Sequence, residues 1–298
     1  MKFFHLFSNG EDAADFVLDE KDCTATVNRI AIVAHRTGVV IVAYDVESTH
    51  LHVLIYAIEE KADAFRFELQ RDTRLYITLT RGTNVGAVFN LSMYRIDDEK
   101  YLHTAATYVI CQATKEGRRI MPYDYRWCTA PLYFRSGIND RLWRVGADGT
   151  DRPVIKMKDI SCRNRRDLFR TRDTNIPEDW EVCEGMILPS SFVDIQMFEN
   201  IFRTHNAFRV FMASSRDGDR VVISKMADTR GVSLEEDEAR KVCASLCKQI
   251  FGKSNPRLLK TGERIHLAQE MRKRYNVGYS QLARRVCLPE SEIRKYIK

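Results

Sequence analysis

The way hydrophobic periodicity changes over the first hundred residues constrains the fold most. Phe3 to Ser8 reads as a strand, and from Glu20 to His35 the residues Val27, Ile30, Ala31 and Ala34 recur at helical spacing until Gly38. Val39 to Val46 and Leu51 to Ile58 are β-branched runs joined by the polar hairpin connection Glu47-Ser48-Thr49. A helix follows from Lys61 to Arg81, closed by Gly82, then a fourth strand from Val85 to Arg95. Asp97-Asp98 then caps a helix from Glu99 to about Lys115. The succession β-α-β-β-α-β predicts an α+β domain with a split βαβ, ferredoxin-like antiparallel sheet. Helices would cover one face and leave the other for ligands.

Beyond this pattern the chain is less regular. Met121 to Phe134 is aromatic, with Tyr123, Tyr125, Trp127 and Tyr133 around Pro122 and Pro131, and reads as a strap across the sheet or an exit from it. Gly185 to Pro189 reads as a turn and short strand, and Ser190 to Phe202, Asn206 to Ser214 and Leu234 to Phe251 read as helices, so the middle section is expected to be mostly helical. At the C-terminus Gly262 to Tyr275 is one helix. Tyr279 to Val286, the turn Cys287-Leu288-Pro289 and Glu290 to Ile297 form a helix-turn-helix pattern. The expected domains are 1–135, 136–252 and 253–298.

Charge follows this organisation. The 298 residues carry a net charge of +6, but Lys253 to Lys298 holds 12 Lys and Arg against 4 Glu, a local +8 that leaves −2 elsewhere. A second cluster between Lys156 and Arg172 holds seven basic residues against Asp159 and Asp167. Positive charge concentrated in this way suits a polyanion, because each phosphate contact releases condensed counterions. The expected nucleic-acid contacts are Arg118, Arg119, Arg163, Arg165, Arg166, Arg284, Arg285, Arg294 and Lys295. No apolar run approaches the ~20 residues of a membrane helix, and the apolar start Met1 to Phe7 lacks a cleavage site. The eight cysteines include no Cys-x-x-Cys pair, which argues against a zinc site and for reduced thiols in a cytoplasmic protein.

His50-Leu51-His52 carries the sharpest chemical signal. Residues two apart in a strand point the same way, so both imidazoles leave one face while Leu51, Val53 and Ile55 leave the other. Two adjacent imidazoles can hold a divalent cation. Tyr108 and Gln112 are four residues apart on the helix after the fourth strand and so share a side of it. Nucleophile, Lewis acid and oxygen ligand together would suit phosphodiester transfer.

The stretches Phe4-His5-Leu6, Thr49-His50-Leu51-His52-Val53-Leu54-Ile55 and Asp124-Tyr125-Arg126-Trp127, with Tyr108 and Gln112 between them, resemble the REP-associated tyrosine transposases. These are single-tyrosine HUH enzymes of bacterial insertion elements. The likeness covers about residues 1–134. Where that family commonly has Asn-Pro after the tyrosine, this chain has Gln112-Ala113. The resemblance implies an HUH nuclease domain that cleaves and rejoins single-stranded hairpin DNA through a 5′-phosphotyrosine on Tyr108. It further implies that His50, His52 and Gln112 hold Mg²⁺ or Mn²⁺. The chain would act as a monomer or homodimer without a small-molecule substrate. The alternatives are a non-catalytic, transposase-derived DNA-binding regulator and an RNA-binding module, since ferredoxin-like sheets can display aromatics to bases.

Overall fold

The computed structural model of the chain describes residues 1–8, 17–81, 89–112, 121–135, 140–146, 148–171, 173, 175–213, 222, 236–253, 255–275 and 277–296. The chain is a mixed α+β protein that divides into two compact units, Met1–Val222 and Ile223–Lys298. The boundaries read from composition, at 135 and 252, fall inside these units.

In the first unit, strands β1 (Lys2–Ser8), β2 (Val40–Val46), β3 (Leu51–Ala57) and β4 (Leu91–Ile96) form one sheet in the order β2-β3-β1-β4. Every neighbouring pair is antiparallel. Helix α1 (Glu20–Thr37) connects β1 to β2, and α2 (Glu59–Arg81) connects β3 to β4. The Asp19 side chain caps α1 by accepting from the amide of Asp22, and Gly38 ends it in the left-handed conformation at φ 68°. A Cβ on Gly38 would also lie 2.9 Å from the Lys61 ammonium, so both backbone and space favour glycine there.

Register sorts the strand side chains into two faces. Phe4, Leu6, Leu51, Val53 and Ile55 share one face, fully or almost fully buried, which α1 and α2 cover. Phe3, His5, Phe7, His52, Leu54 and Asp45 share the other, over which α3 (Glu99–Ile110) packs. The side chain of Asp98 caps α3 by accepting from the amide of Tyr101 at 2.7 Å. The expectation of helices on one face only is therefore corrected. The helix that carries Tyr108 lies on the second face, because its buried side includes Tyr101, Ala105 and Tyr108 and needs an apolar partner.

The aromatic strap runs beside β2 and completes its outer edge. The Val46 amide donates to the Trp127 carbonyl at 3.0 Å, and the Thr129 amide donates to the Tyr44 carbonyl at 3.1 Å. The Tyr125 and Tyr133 hydroxyls donate to the carbonyls of Val46 and Val42. An edge that would otherwise expose unpaired backbone is thereby covered.

The middle section is not simply helical. Strands β5 (Val154–Lys156), β6 (Glu181–Cys183) and β7 (Met186–Ile187) form a small antiparallel sheet. β7 lies in the stretch Gly185 to Pro189 that reads as a turn and short strand, whereas β5 and β6, three residues each, are too short to display a period of two in the sequence. Met157, Trp180, Val182 and Ile187 join Ala31 and Ile32 of α1 in one apolar cluster. Asn28 of α1 donates to the Gly185 carbonyl and accepts from the Ile187 amide. Helix α4 (Cys162–Phe169) lies between β5 and β6, while α5 (Ile195–Phe202) and α6 (His205–Ala213) pack against α3.

The second unit holds α7 (Glu236–Phe251), α8 (Thr261–Tyr275), α9 (Tyr279–Val286) and α10 (Glu290–Tyr296). Leu267, Met271, Leu282, Val286 and Ile293 are fully buried in its core with Cys247 of α7. Arg264 ties three segments together by donating to the carbonyls of Leu259, Arg257 and Cys287.

Candidate functional site

The site is built from β1, the β2–β3 hairpin and the last turn of α3. Phe7 pairs with His52, and His52 pairs on its other side with Asp45, so neighbouring strands deliver these side chains to one patch. His50 stands at the mouth of the hairpin, half exposed, where its carbonyl accepts from the Glu47 amide at 2.9 Å. The rings of His50 and His52 are 5.0 Å apart, and Tyr108 lies 5.3 Å from His52 with its ring edge-on. Tyr108 is only 7% exposed.

His5, which sequence reasoning assigned no role, joins this group. Its Nε2 is 3.1 Å from Nδ1 of His52, and both rings are buried. Its ring lies 6.2 Å from that of Tyr108. Burial lowers the pKa of His5 to about 3, so the imidazole is neutral. Nδ1 of His50 is meanwhile 2.9 Å from the Thr49 hydroxyl. With Nδ1 of both rings engaged, a ligating role falls to Nε2 of each. Such a tautomer puts the proton of His52 on Nδ1, where it donates to His5. The proton of His5 then sits on its own Nδ1, which is buried without a hydrogen-bond partner. The signal that could have revealed His5 is register: a histidine on the inward face of β1, one step along from the residue facing His52.

Asp45 and Glu47 are fully buried near the same hairpin. Burial pushes the Cys128 thiol well above its ordinary value, and the nearby Asp45 and Glu47 carboxylates push it further. Gln112, expected as a third ligand, is buried with its amide nitrogen donating to the Tyr108 carbonyl at 2.6 Å, so the side chain folds back on its own helix. Among the described residues, no three His, Cys, Asp or Glu side chains are grouped to hold a metal ion. The donor set is thus a pair of imidazoles. It fits a first-row transition ion better than Mg²⁺, which prefers oxygen ligands, so Mn²⁺ is the better match of the two expected ions.

The expected nucleic-acid contacts are spread over both units. Arg118 and Arg119 lie outside the described residues. Arg163 and Arg166 are exposed on α4, and Arg165 donates to the Ile160 carbonyl at 2.8 Å, which makes it part of that helix start. Arg284, Arg294 and Lys295 are exposed on α9 and α10, with Arg285 half-buried. Arg294 pairs with Glu290 four residues before it and lies 4.5 Å over the Tyr279 ring. Ile297 falls outside the described residues, while Leu282, Ala283, Val286 and Ile293 are buried in the core of the second unit.

Compared with protein-family models, curated proteins and solved structures, the chain matches none of them. No helix among the described residues is long and apolar enough to cross a membrane.

Proposed function

We propose that this chain is a single-strand DNA endonuclease and strand transferase of the HUH single-tyrosine type. The strand order β2-β3-β1-β4 with two helical crossovers suits a split βαβ, ferredoxin-like domain. The observation that carries the reading is the convergence of Tyr108 with His50 and His52 on one sheet face. The tight helix pair α9–α10, with exposed Arg284, Arg294 and Lys295, supports a helix-turn-helix that contacts duplex DNA.

In this mechanism the Tyr108 oxygen attacks a backbone phosphorus in line, and the bond from phosphorus to the 3′-oxygen breaks. The phenolic proton leaves to a base, and the released 3′-oxygen takes up a proton. One phosphodiester is exchanged for another, so attack by a 3′-hydroxyl reverses the step and rejoins strands. A divalent ion held by His50 and His52 would polarise a non-bridging phosphate oxygen. His5 holds the His52 ring in one orientation.

A second reading, a non-catalytic DNA-binding regulator, is favoured by the burial of Tyr108 and by the return of the Gln112 amide to its own helix. One experiment separates the two. The protein is incubated with labelled single-stranded hairpins from the flanks of its own gene and Mn²⁺, then run on a denaturing gel. A covalent adduct that disappears with EDTA is expected. Tight binding to such hairpins without any adduct would favour the regulator.

A further inference from the structure

The side of the sheet covered by α1 and α2 holds a second concentration of charge. A cleft of about 390 Å³ opens between α1, α2, the strap at Trp127, the end of α4 and the turn at Gly185. Tyr76 stands in its wall, between two guanidinium groups. Arg29 lies 4.2 Å and Arg170 5.5 Å from the ring centre. Lys21, about two turns before Arg29 on α1, lines the same cleft.

The cleft is also lined by Glu20, Asp167 and Glu184, and Asp22 and Asp72 stabilise the charge of Arg29, but none of these carboxylates closes an ion pair with the three cations among the described residues. Asp22, the nearest carboxylate, is already engaged by the Tyr76 hydroxyl at 2.7 Å, by the Leu18 amide and by Arg81. Glu184 on the opposite wall is shared by Arg126 and Arg152. Among the described residues, none of Lys21, Arg29 and Arg170 takes part in an ion pair. Arg29 is only 9% exposed, and its one side-chain bond runs from a terminal nitrogen to the Thr26 hydroxyl at 2.9 Å. Its Nε is buried with no partner. Burial lowers the Arg29 pKa to about 10, against the pull of Tyr76, Asp22 and Asp72, and the charge of Arg170 adds a smaller push in the same direction as burial. A buried donor without an acceptor costs about 1–3 kcal/mol, more when charged, and two like charges over one ring add to that cost. An anion with several acceptor oxygens removes both.

We propose that this cleft binds the phosphate of a nucleotide unit, held between Lys21, Arg29 and Arg170. Guanidinium groups match phosphate oxygens in pairs. The volume lies in the range of small-ligand sites and exceeds what a lone phosphate fills, which leaves room for a sugar or base beside Trp127. Arg170 follows directly on α4, whose exposed Arg163 and Arg166 continue the basic track. The site lies on the α1 and α2 side of the sheet, away from Tyr108, and stands whether or not Tyr108 is a nucleophile.

The full-length protein is titrated calorimetrically with deoxyadenosine 5′-monophosphate and, separately, with a short 5′-phosphorylated oligothymidylate. Lys21→Ala and Arg170→Asn are compared with the wild type. Asparagine is chosen because residue 170 sits at φ 49°, a conformation it tolerates. Each variant is expected to lower affinity about tenfold with an unchanged Tm, while Tyr108→Phe leaves the affinity as it was. Competition by the mononucleotide assigns the site to free nucleotides, and binding of the oligonucleotide alone assigns it to a nucleic-acid strand. Absence of binding by both probes, or affinities that neither variant changes, would overturn the proposal.

Discussion

On the sheet face turned to α1 and α2, Phe4, Leu6, Val53 and Ile55 are buried and apolar, and the polar groups among them are the hydroxyls of Ser8 and Tyr44, the latter buried without a hydrogen-bond partner. On the face turned to α3, the same strands bury His5, His52 and Asp45 just as deeply. Burying a polar group costs stability unless its bonds are remade, and His5 remakes only one of two. One face therefore holds the domain together, and the other retains groups that a core chosen for stability alone would replace. Departures of this kind from a uniformly apolar interior are expected where a site is held.

The largest effect should come from the polar face. Tyr108→Phe keeps the ring that packs beside His52 and removes only the hydroxyl, so the fold and DNA binding should persist. The covalent adduct, read on a denaturing gel, should vanish altogether. Adduct formation by this variant would remove Tyr108 as nucleophile and with it the division of labour between the faces.

Leu6→Ala tests the apolar face. Leu6 is fully buried, and truncation of such a leucine leaves a cavity costing about 2–5 kcal/mol. Urea unfolding should show that loss, while the adduct still forms below the new Tm. A loss of adduct without a loss of stability would show that the faces are not separable in this way.

His5→Phe sharpens the comparison, since it makes the polar face resemble the other at one position. Affinity for Mn²⁺ should fall roughly 10–100-fold, as for other residues that orient a metal-binding histidine. Stability should change little, because removal of the unpartnered His5 Nδ1 offsets the loss of the acceptor for the buried Nδ1–H of His52. Electron paramagnetic resonance of free Mn²⁺ against total protein gives the affinity directly, and an unchanged value would leave His5 as packing alone.

The apolar face was largely legible in the sequence, because the β-branched runs of β2 and β3 and the helical spacing of Val27, Ile30, Ala31 and Ala34 are local patterns. His50 and His52 were legible as a pair for the same reason. His5 and Asp45 were not, since what matters about them is which strand lies beside which, and register is a long-range property. The expected boundaries at 135 and 252 follow composition and charge, while the two compact units follow packing. Helix α7 precedes the basic stretch and yet shares a core with it through Cys243, Leu246 and Cys247. The Arg29 cleft escaped sequence reading because its members come from α1, α2 and the end of α4, separated by up to 149 positions between Lys21 and Arg170.

The smallest expected effect distinguishes helix stability from site geometry on the polar face. Asp98 caps the first turn of α3, while Tyr108 sits in the last. Asp98→Ala should cost about 1 kcal/mol, the usual worth of an N-cap, because the Tyr101 amide loses its acceptor. The strain should stay near the cap, since Ala105, Ala106 and Val109 anchor the rest of α3 in the core at full burial. Thermal unfolding should record the loss, and Asp98→Asn, which preserves an acceptor, should recover most of it. The adduct yield at low temperature should match wild type in both variants. A yield that falls with Asp98→Ala and returns with Asp98→Asn would mean that fraying of the first turn reaches Tyr108, and that the polar face depends on its helix along its whole length.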